Sequence, residues 1–343
     1  MAGLTSAPIR VLVTGSRGKS SVVRLLSAAL ASFGLEVRGR ITGVVPRELR
    51  PGVSPEAPLK EILLLRSGPA SVEEMRWWLS SLPTNVDAVV MENSAIEPDL
   101  QHLAFGWLRP VCSVLTNVRP DHEEFWGGGE ECAARALCSG LCPDGEGYPV
   151  VLPRTIVERP TVERLLRERG CRPVPCESGE DFAQEHLSIV RRVCDLIGLD
   201  GEEGRRAASL LPPDIADFAV LREGEALLAS AFSANDPESA ESLFLSTGWS
   251  REETVVLFNS RHDRQRRLTA FTSWLSSHQW RRVCVFGGAP LILPRRFERL
   301  RLVDGAALAS FVREEGRVFG CGNVAGAPLD YLESAFSRER SAR

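Results

Sequence analysis

The chain has 343 residues, 43% hydrophobic and 25% charged, and a formal net charge of −4. That length and apolar content suit two domains with a core each, and the acidic balance argues against nucleic acid or an anionic membrane as the main partner. Nine cysteines, an odd number with no C-x-x-C pair, suit a reducing compartment.

The opening stretch MAGLTSAPIR carries no apolar signal region, and nowhere do 18 apolar residues run together. The expectation is a soluble, cytoplasmic chain without a spanning helix. Residues 9–14, IRVLVT, then read as a strand, followed by a glycine-bounded loop and a helix over 20–33 that Gly34 caps. Within that loop stands a compositional exception. The chain has 41 basic residues, yet only Lys19 and Lys60 are lysines. A guanidinium is a broad fork, whereas an ammonium is compact enough to sit among phosphate oxygens inside a tight backbone loop. The pattern T-G-S-R-G-K-S at 14–20 therefore reads as a phosphate cradle. Backbone N–H groups of Gly15, Ser16, Arg17 and Gly18 would line it, Lys19 would reach the outer phosphates of ATP, Ser20 would ligate Mg²⁺, and Ser21 follows on the helix. Val13 occupies the place of the first glycine in the general pattern.

Residues 44–70, with five prolines, read as a long loop or flap. Further strands are expected at 86–91, 111–116, 225–232, 254–259, 281–287 and 317–320, with a helix over 237–247 opened by Pro237. Strand–helix alternation of this kind predicts an α/β fold with parallel sheets. No repeat of 20–50 residues is present, which excludes a solenoid. A double proline within 210–225 suggests a boundary near 223, giving units 1–223 and 224–343. Cys132, Cys138 and Cys142 lack a fourth zinc ligand at finger spacing and read as core residues.

Four polar clusters directly follow strands: MENSA, TNVRPDHEE, SANDPES and NSRHDRQRR. In parallel sheets ligands bind at the carboxyl ends of strands, so Glu92 and His122 are candidate Mg²⁺ ligands beside Ser20.

Six motifs in order, namely T-G-S-R-G-K-S at 14–20, E-x-x-A-x-x-P-D-x-Q at 92–101, T-N-V-R-x-D-H at 116–122, A-N-D-P-E-S at 234–239, N-x-R-x-D-R at 259–264 and V-F-G-x-G-N at 318–323, resemble one family. It is the ligase subunit of poly-γ-glutamate synthetase, the capsule-making branch of the Mur ligase superfamily. The resemblance implies a P-loop central domain followed by a smaller Rossmann-like domain. It implies an ATP- and Mg²⁺-dependent amide ligase working through an acyl phosphate, acting on glutamate or a γ-glutamyl chain. Membrane subunits of a polymer synthase would be its partners, at the inner face of the membrane, and its oligomeric state stays open.

By the same resemblance Glu92 is shared by the metals, His122 ligates a second one, and Asn117 with Asp121 shapes that edge. Asn235, Asp236, Arg261 and Arg264 would close over nucleotide and acyl phosphate from the C-terminal domain. Three departures stand out. GGGEECAARALCSGL at 127–141 has no lysine where many Mur ligases carry a carbamylated one, GRITG stands at 39–43 where relatives have a G-K-T-T-G-like stretch, and no arginine follows the double proline. Neither the membrane-anchoring segment nor the UDP-binding domain that relatives carry is expected here. Two other readings remain: a nucleotide-binding assembly protein with weakened catalysis, and a P-loop small-molecule kinase.

Overall fold

A computed structural model describes residues 3–342 except 44, 55–56, 65–70, 180, 216, 235, 263–264 and 278. The chain divides into two compact units, Met1–Pro212 and Pro213–Arg343. The seam is thus the double proline itself. The expected boundary at 223 falls at the end of a strand that pairs within the second unit.

In the first unit the elements run β1 (Ile9–Thr14), α1 (Lys19–Ser32), β2 (Val37–Ile41), β3 (Arg47–Ser54), β4 (Ala57–Leu63), α2 (Glu73–Ser80), β5 (Ala88–Glu92), α3 (Gln101–Leu108), β6 (Cys112–Leu115), α4 (Glu123–Trp126) and α5 (Glu130–Ser139). They continue with β7 (Tyr148–Pro153), α6 (Arg154–Val157), α7 (Pro160–Glu168), β8 (Cys171–Cys176), α8 (Phe182–Leu196) and α9 (Gly201–Ser209). The sheet order is β4-β3-β2-β5-β1-β6-β7-β8, parallel except for the β3–β4 hairpin at one edge.

Alternation along β1 decides its packing. Val11 and Val13 turn to a core closed by α1, α8 and α9, while Leu12 turns to one closed by α2, α3, α5 and α7. All three are fully buried, each such side chain contributing about 1.5–3 kcal/mol. Strands buried on both faces read as continuous apolar runs, which is why this one was visible in sequence.

The segment 44–70 is not a long loop. Its described residues form β3 and β4, paired antiparallel from Arg47 opposite Leu63 to Ser54 opposite Ala57. Prolines are tolerated there because the hairpin makes the sheet edge. A charge network fixes it to the interior: Arg24 of α1 donates to Glu61 at 2.7 Å and to the Pro212 carbonyl at 2.7 Å, and Arg47 pairs with the same glutamate.

The second unit runs β9 (Ala219–Glu223), β10 (Ala226–Ala231), α10 (Pro237–Ser246), β11 (Val255–Ser260), α11 (Gln265–Ser277), β12 (Arg282–Gly287), β13 (Phe297–Arg299), α12 (Gly305–Glu315), β14 (Arg317–Cys321) and α13 (Ala327–Ala342). Its sheet, β13-β12-β11-β14-β10-β9, is parallel but for β9. One face carries a core with Leu308, Val312 and Tyr331, the other a core with Phe244, Phe271 and Trp274. Among the described residues no helix is long and apolar enough to cross a membrane.

Candidate phosphate-loop site

The first unit's chain passes from β5 to β6 across β1, so the carboxyl ends of these three neighbours open onto one crevice. Such a switch in strand order is where parallel sheets bind ligands. The loop after β1 needs two glycines. Gly15 has φ 134° and Gly18 φ 75°, and a Cβ on Gly15 would stand 2.0 Å from Thr116 Oγ1.

The segment after β6 braces that loop from below. Ser16 Oγ donates to Asn117 Oδ1 at 2.6 Å, and the Arg17 N–H to the same oxygen at 3.2 Å. Thr116 Oγ1 and Asn117 Nδ2 donate to the Arg17 carbonyl at 2.5 and 3.1 Å. Four bonds from two residues hold the loop's shape before any ligand arrives.

Lys19 opens α1, and its Nζ donates to the Gly15 carbonyl at 2.6 Å. Burial lowers its pKa below the ordinary lysine value, against the opposing pull of Glu92 and Asp121. A desolvated ammonium folded over a glycine loop is a strong anchor for an anion.

Glu92 ends β5 and is 4% exposed. It accepts from Ser20 Oγ at 3.0 Å and from the Thr42 N–H at 2.9 Å, both on Oε2; its Oε1 takes part in no hydrogen bond among the described residues. A serine oxygen, a buried carboxylate with an oxygen to spare and an adjacent anion cradle fit Mg²⁺, which is usually held by one or two carboxylates and substrate phosphates. Gly43 lies over Ser20, where a Cβ would stand 2.6 Å from Oγ.

His122 sits in the left-handed region at φ 46°, with Nε2 3.5 Å from Asp121 and Nδ1 3.7 Å from Glu124. Asp121 also pairs with Arg17. Thus Lys19, Ser20, Glu92, Arg17, Asn117 and Asp121 form one connected group, and His122 adjoins it through Asp121. Ser21 lies half-buried on the first turn of α1. Of the three cysteines expected in the core only Cys138 is buried, while Cys132 is half-buried and Cys142 exposed.

The second unit's candidates occupy strand ends of their own sheet. Asp236 is the N-cap of α10, accepting from the Ser239 N–H and Oγ at 2.8 Å each, with Pro237 at the first helical position. Arg261 follows β11 and is exposed. Asn259, buried at the end of β11, donates to the Asn323 and Ala325 carbonyls at 2.8 Å each. That pairing joins the last two sequence motifs. Asn235 and Arg264 lie outside the described residues.

Some neighbours of the site had no role assigned from the sequence, although Asn93 and Gln101 stand in the MENSA cluster and the 92–101 motif. His186 of α8 packs on Gly18, where a Cβ would stand 2.4 Å from its Nε2, and burial pushes this imidazole down to about 4. Asn93 and Gln101, both buried, bond to each other at 3.0 Å behind Glu92. Trp126 Nε1 donates to the Ile96 carbonyl at 2.6 Å, tying the His122 turn to the loop after β5.

Fold and site together define a phosphate-loop α/β domain followed by a Rossmann-like α/β domain. Residues 13–139 match the Mur ligase middle domain, and residues 216–338 match the poly-gamma-glutamate synthase CapB C-terminal domain. The first unit thus resembles a Mur ligase middle domain and the second the CapB C-terminal domain. The chain is 24% identical over 287 residues to the capsule biosynthesis protein CapB of Bacillus anthracis, covering 78% of this chain and 60% of that protein's length. Escherichia coli FolC in complex with ADP shares the fold at a TM-score of 0.69 and 17% identity, over 98% of this chain and 91% of that one. A bifunctional folylpolyglutamate synthase/dihydrofolate synthase with Mn, AMPPNP and L-glutamate bound does so at 0.66 and 16%, over 97% and 91%.

Proposed function

We propose that this chain is an ATP- and Mg²⁺-dependent, ADP-forming carboxylate–amine ligase that makes γ-glutamyl amide bonds in poly-γ-glutamate synthesis. The observation that carries the reading is Lys19, Ser20 and Glu92 held together beneath a two-glycine phosphate loop. The relative named for capsule biosynthesis and the neighbour solved with AMPPNP, Mn and L-glutamate support the same chemistry.

In the first step a substrate carboxylate oxygen bonds to the γ-phosphorus of ATP as the bond to ADP breaks. In the second, an amine nitrogen bonds to the acyl carbon, inorganic phosphate leaves, and the amine's proton passes to solvent. The protein's work is positioning and charge neutralisation. The loop N–H groups and Lys19 hold and neutralise phosphate oxygens. Mg²⁺, when bound, supplies further neutralisation, and Ser20, Glu92 and His122 would hold it. Asn117 keeps the loop in its binding shape. From the second unit Asp236 and Arg261, with Asn235 and Arg264 from the sequence motifs, are proposed to complete the machinery. Glutamate or a γ-glutamyl chain is the proposed substrate, with membrane subunits of a polymer synthase as partners.

The test is mass spectrometry of products after incubating the purified chain with ATP, Mg²⁺ and each amino acid separately. A glutamate-containing amide formed with stoichiometric ADP is the expected result. ATP bound without amide would favour the assembly-protein reading, since α5 carries no lysine. ADP released with a phosphorylated product and no amine requirement would favour the kinase.

A further inference from the structure

The turn that carries His122 is restrained from both sides. His122 is one of two described non-glycine residues with positive φ, and such a conformation persists where its surroundings over-determine it. On the C-terminal side, the Phe125 and Trp126 N–H groups donate to the His122 carbonyl at 2.8 and 3.0 Å, and the Trp126 ring lies 5.3 Å from the imidazole. On the N-terminal side the restraint is Asp121, paired with Arg17 at 12% and 16% side-chain exposure.

Arg17 stands between Ser16 and Gly18 in a phosphate loop, so by position it reads as a phosphate ligand. Its guanidinium is directed elsewhere, to Asp121 and to the Ser16 carbonyl at 3.1 Å. Its carbonyl and N–H are held by Thr116 and Asn117. A largely buried arginine–carboxylate pair is directional, and it transmits the position of one partner to the other.

We propose that Arg17 is a positioning residue: through Asp121 it sets the His122 turn against the phosphate loop, so that metal affinity depends on a side chain touching neither metal nor phosphate. This rests on the nucleotide- and metal-dependent reading above. Groups that orient a metal ligand commonly change metal affinity by about 10–100-fold when removed.

The experiment is a Mn²⁺ titration of the full chain by electron paramagnetic resonance with ADP present, where no turnover intervenes. Wild type is compared with Arg17→Ala, Arg17→Lys, Asp121→Asn and the Arg17→Ala/Asp121→Asn double variant. Each Arg17→Ala or Asp121→Asn change is expected to raise the Mn²⁺ Kd about tenfold or more, with the double variant no worse than either. Arg17→Lys should recover part of the loss, and in every variant metal-free ADP affinity, read in EDTA, should fall by clearly less than the Mn²⁺ affinity. Losses that multiply, an unchanged Mn²⁺ Kd, or a matching loss of metal-free ADP affinity would each overturn the proposal, the last returning Arg17 to the phosphates. A wild-type chain that binds neither ADP nor Mn²⁺ would overturn the underlying functional reading as well. Arg17→Lys and Asp121→Asn keep side-chain volume and carry the comparison should the alanine variant not fold.

Discussion

A single ammonium among guanidinium groups is where the residue scale speaks most directly. Lys19 reaches back over its own loop to the Gly15 carbonyl at 2.6 Å, a place that suits a compact ammonium better than a planar fork. Charge alone should therefore not substitute for it. Lys19→Arg is expected to lose phosphate release from ATP almost as fully as Lys19→Ala, by about 100-fold or more, with an unchanged circular dichroism spectrum. An arginine variant at near wild-type rate would show that any cation serves and would return the lysine to coding accident. The sequence exposed this residue because composition made it an exception. It marked Thr116 only as the first residue of a motif, without the bond from its hydroxyl to the Arg17 carbonyl, and it could not expose the packing of His186 on Gly18, since a histidine there is not unusual. Asp236 carries a second role beside the one its motif suggests, since its carboxylate caps α10 ahead of Pro237.

Among the elements, α8 joins the site to the stability of the first unit. Its Val190 and Val193 enter the core beneath α1, and its His186 faces the phosphate loop. Burial lowers that imidazole from 6.5 to about 4. Between those values the unfolded chain binds a proton that the folded chain refuses, so stability is intact above about pH 6.5 and declines as pH falls toward 4. In urea titrations between pH 7 and pH 5, wild type should therefore lose about 1–2 kcal/mol more than His186→Gln, whose side chain does not titrate. Equal losses would mean the imidazole is protonated as easily in the fold as outside it. Legibility at this scale followed burial. The buried central strands β1, β5, β6, β10, β11, β12 and β14 announced themselves as apolar runs, whereas β3, β4 and β8 hid behind prolines. β4 and β8 are the two edge strands of the first sheet, where a proline can face away from the ladder, and Pro51 of β3 lies beyond that strand's pairing with β2.

At the scale of the molecule, two sheets with alternating helices were readable because the whole chain keeps the strand–helix rhythm. The seam was readable only to within a strand. The double proline marks it, but β9 follows so closely that its pairing with β10 had to be seen to place it in the second unit. Half of the candidate residues were readable for a related reason: each polar cluster directly follows a strand, and parallel topology gathers such ends at one rim of each sheet. The braces beneath the rim are long-range: Thr116 and Asn117 stood in a visible motif, but the bonds they make to the loop left no local pattern. One feature of this layout reaches into how the gene could be cut. Each sheet has helices and an apolar core on both faces drawn from its own unit, so neither depends on the other for its interior. Severing the reading frame between codons 212 and 213 should then yield two polypeptides that each melt cooperatively. The one ending at Pro212 should still retain ADP on its phosphate loop, measurable by calorimetry, while amide synthesis returns only when both are supplied together. A fragment 1–212 that is unfolded by itself would show that the seam is a boundary in space without being one in folding.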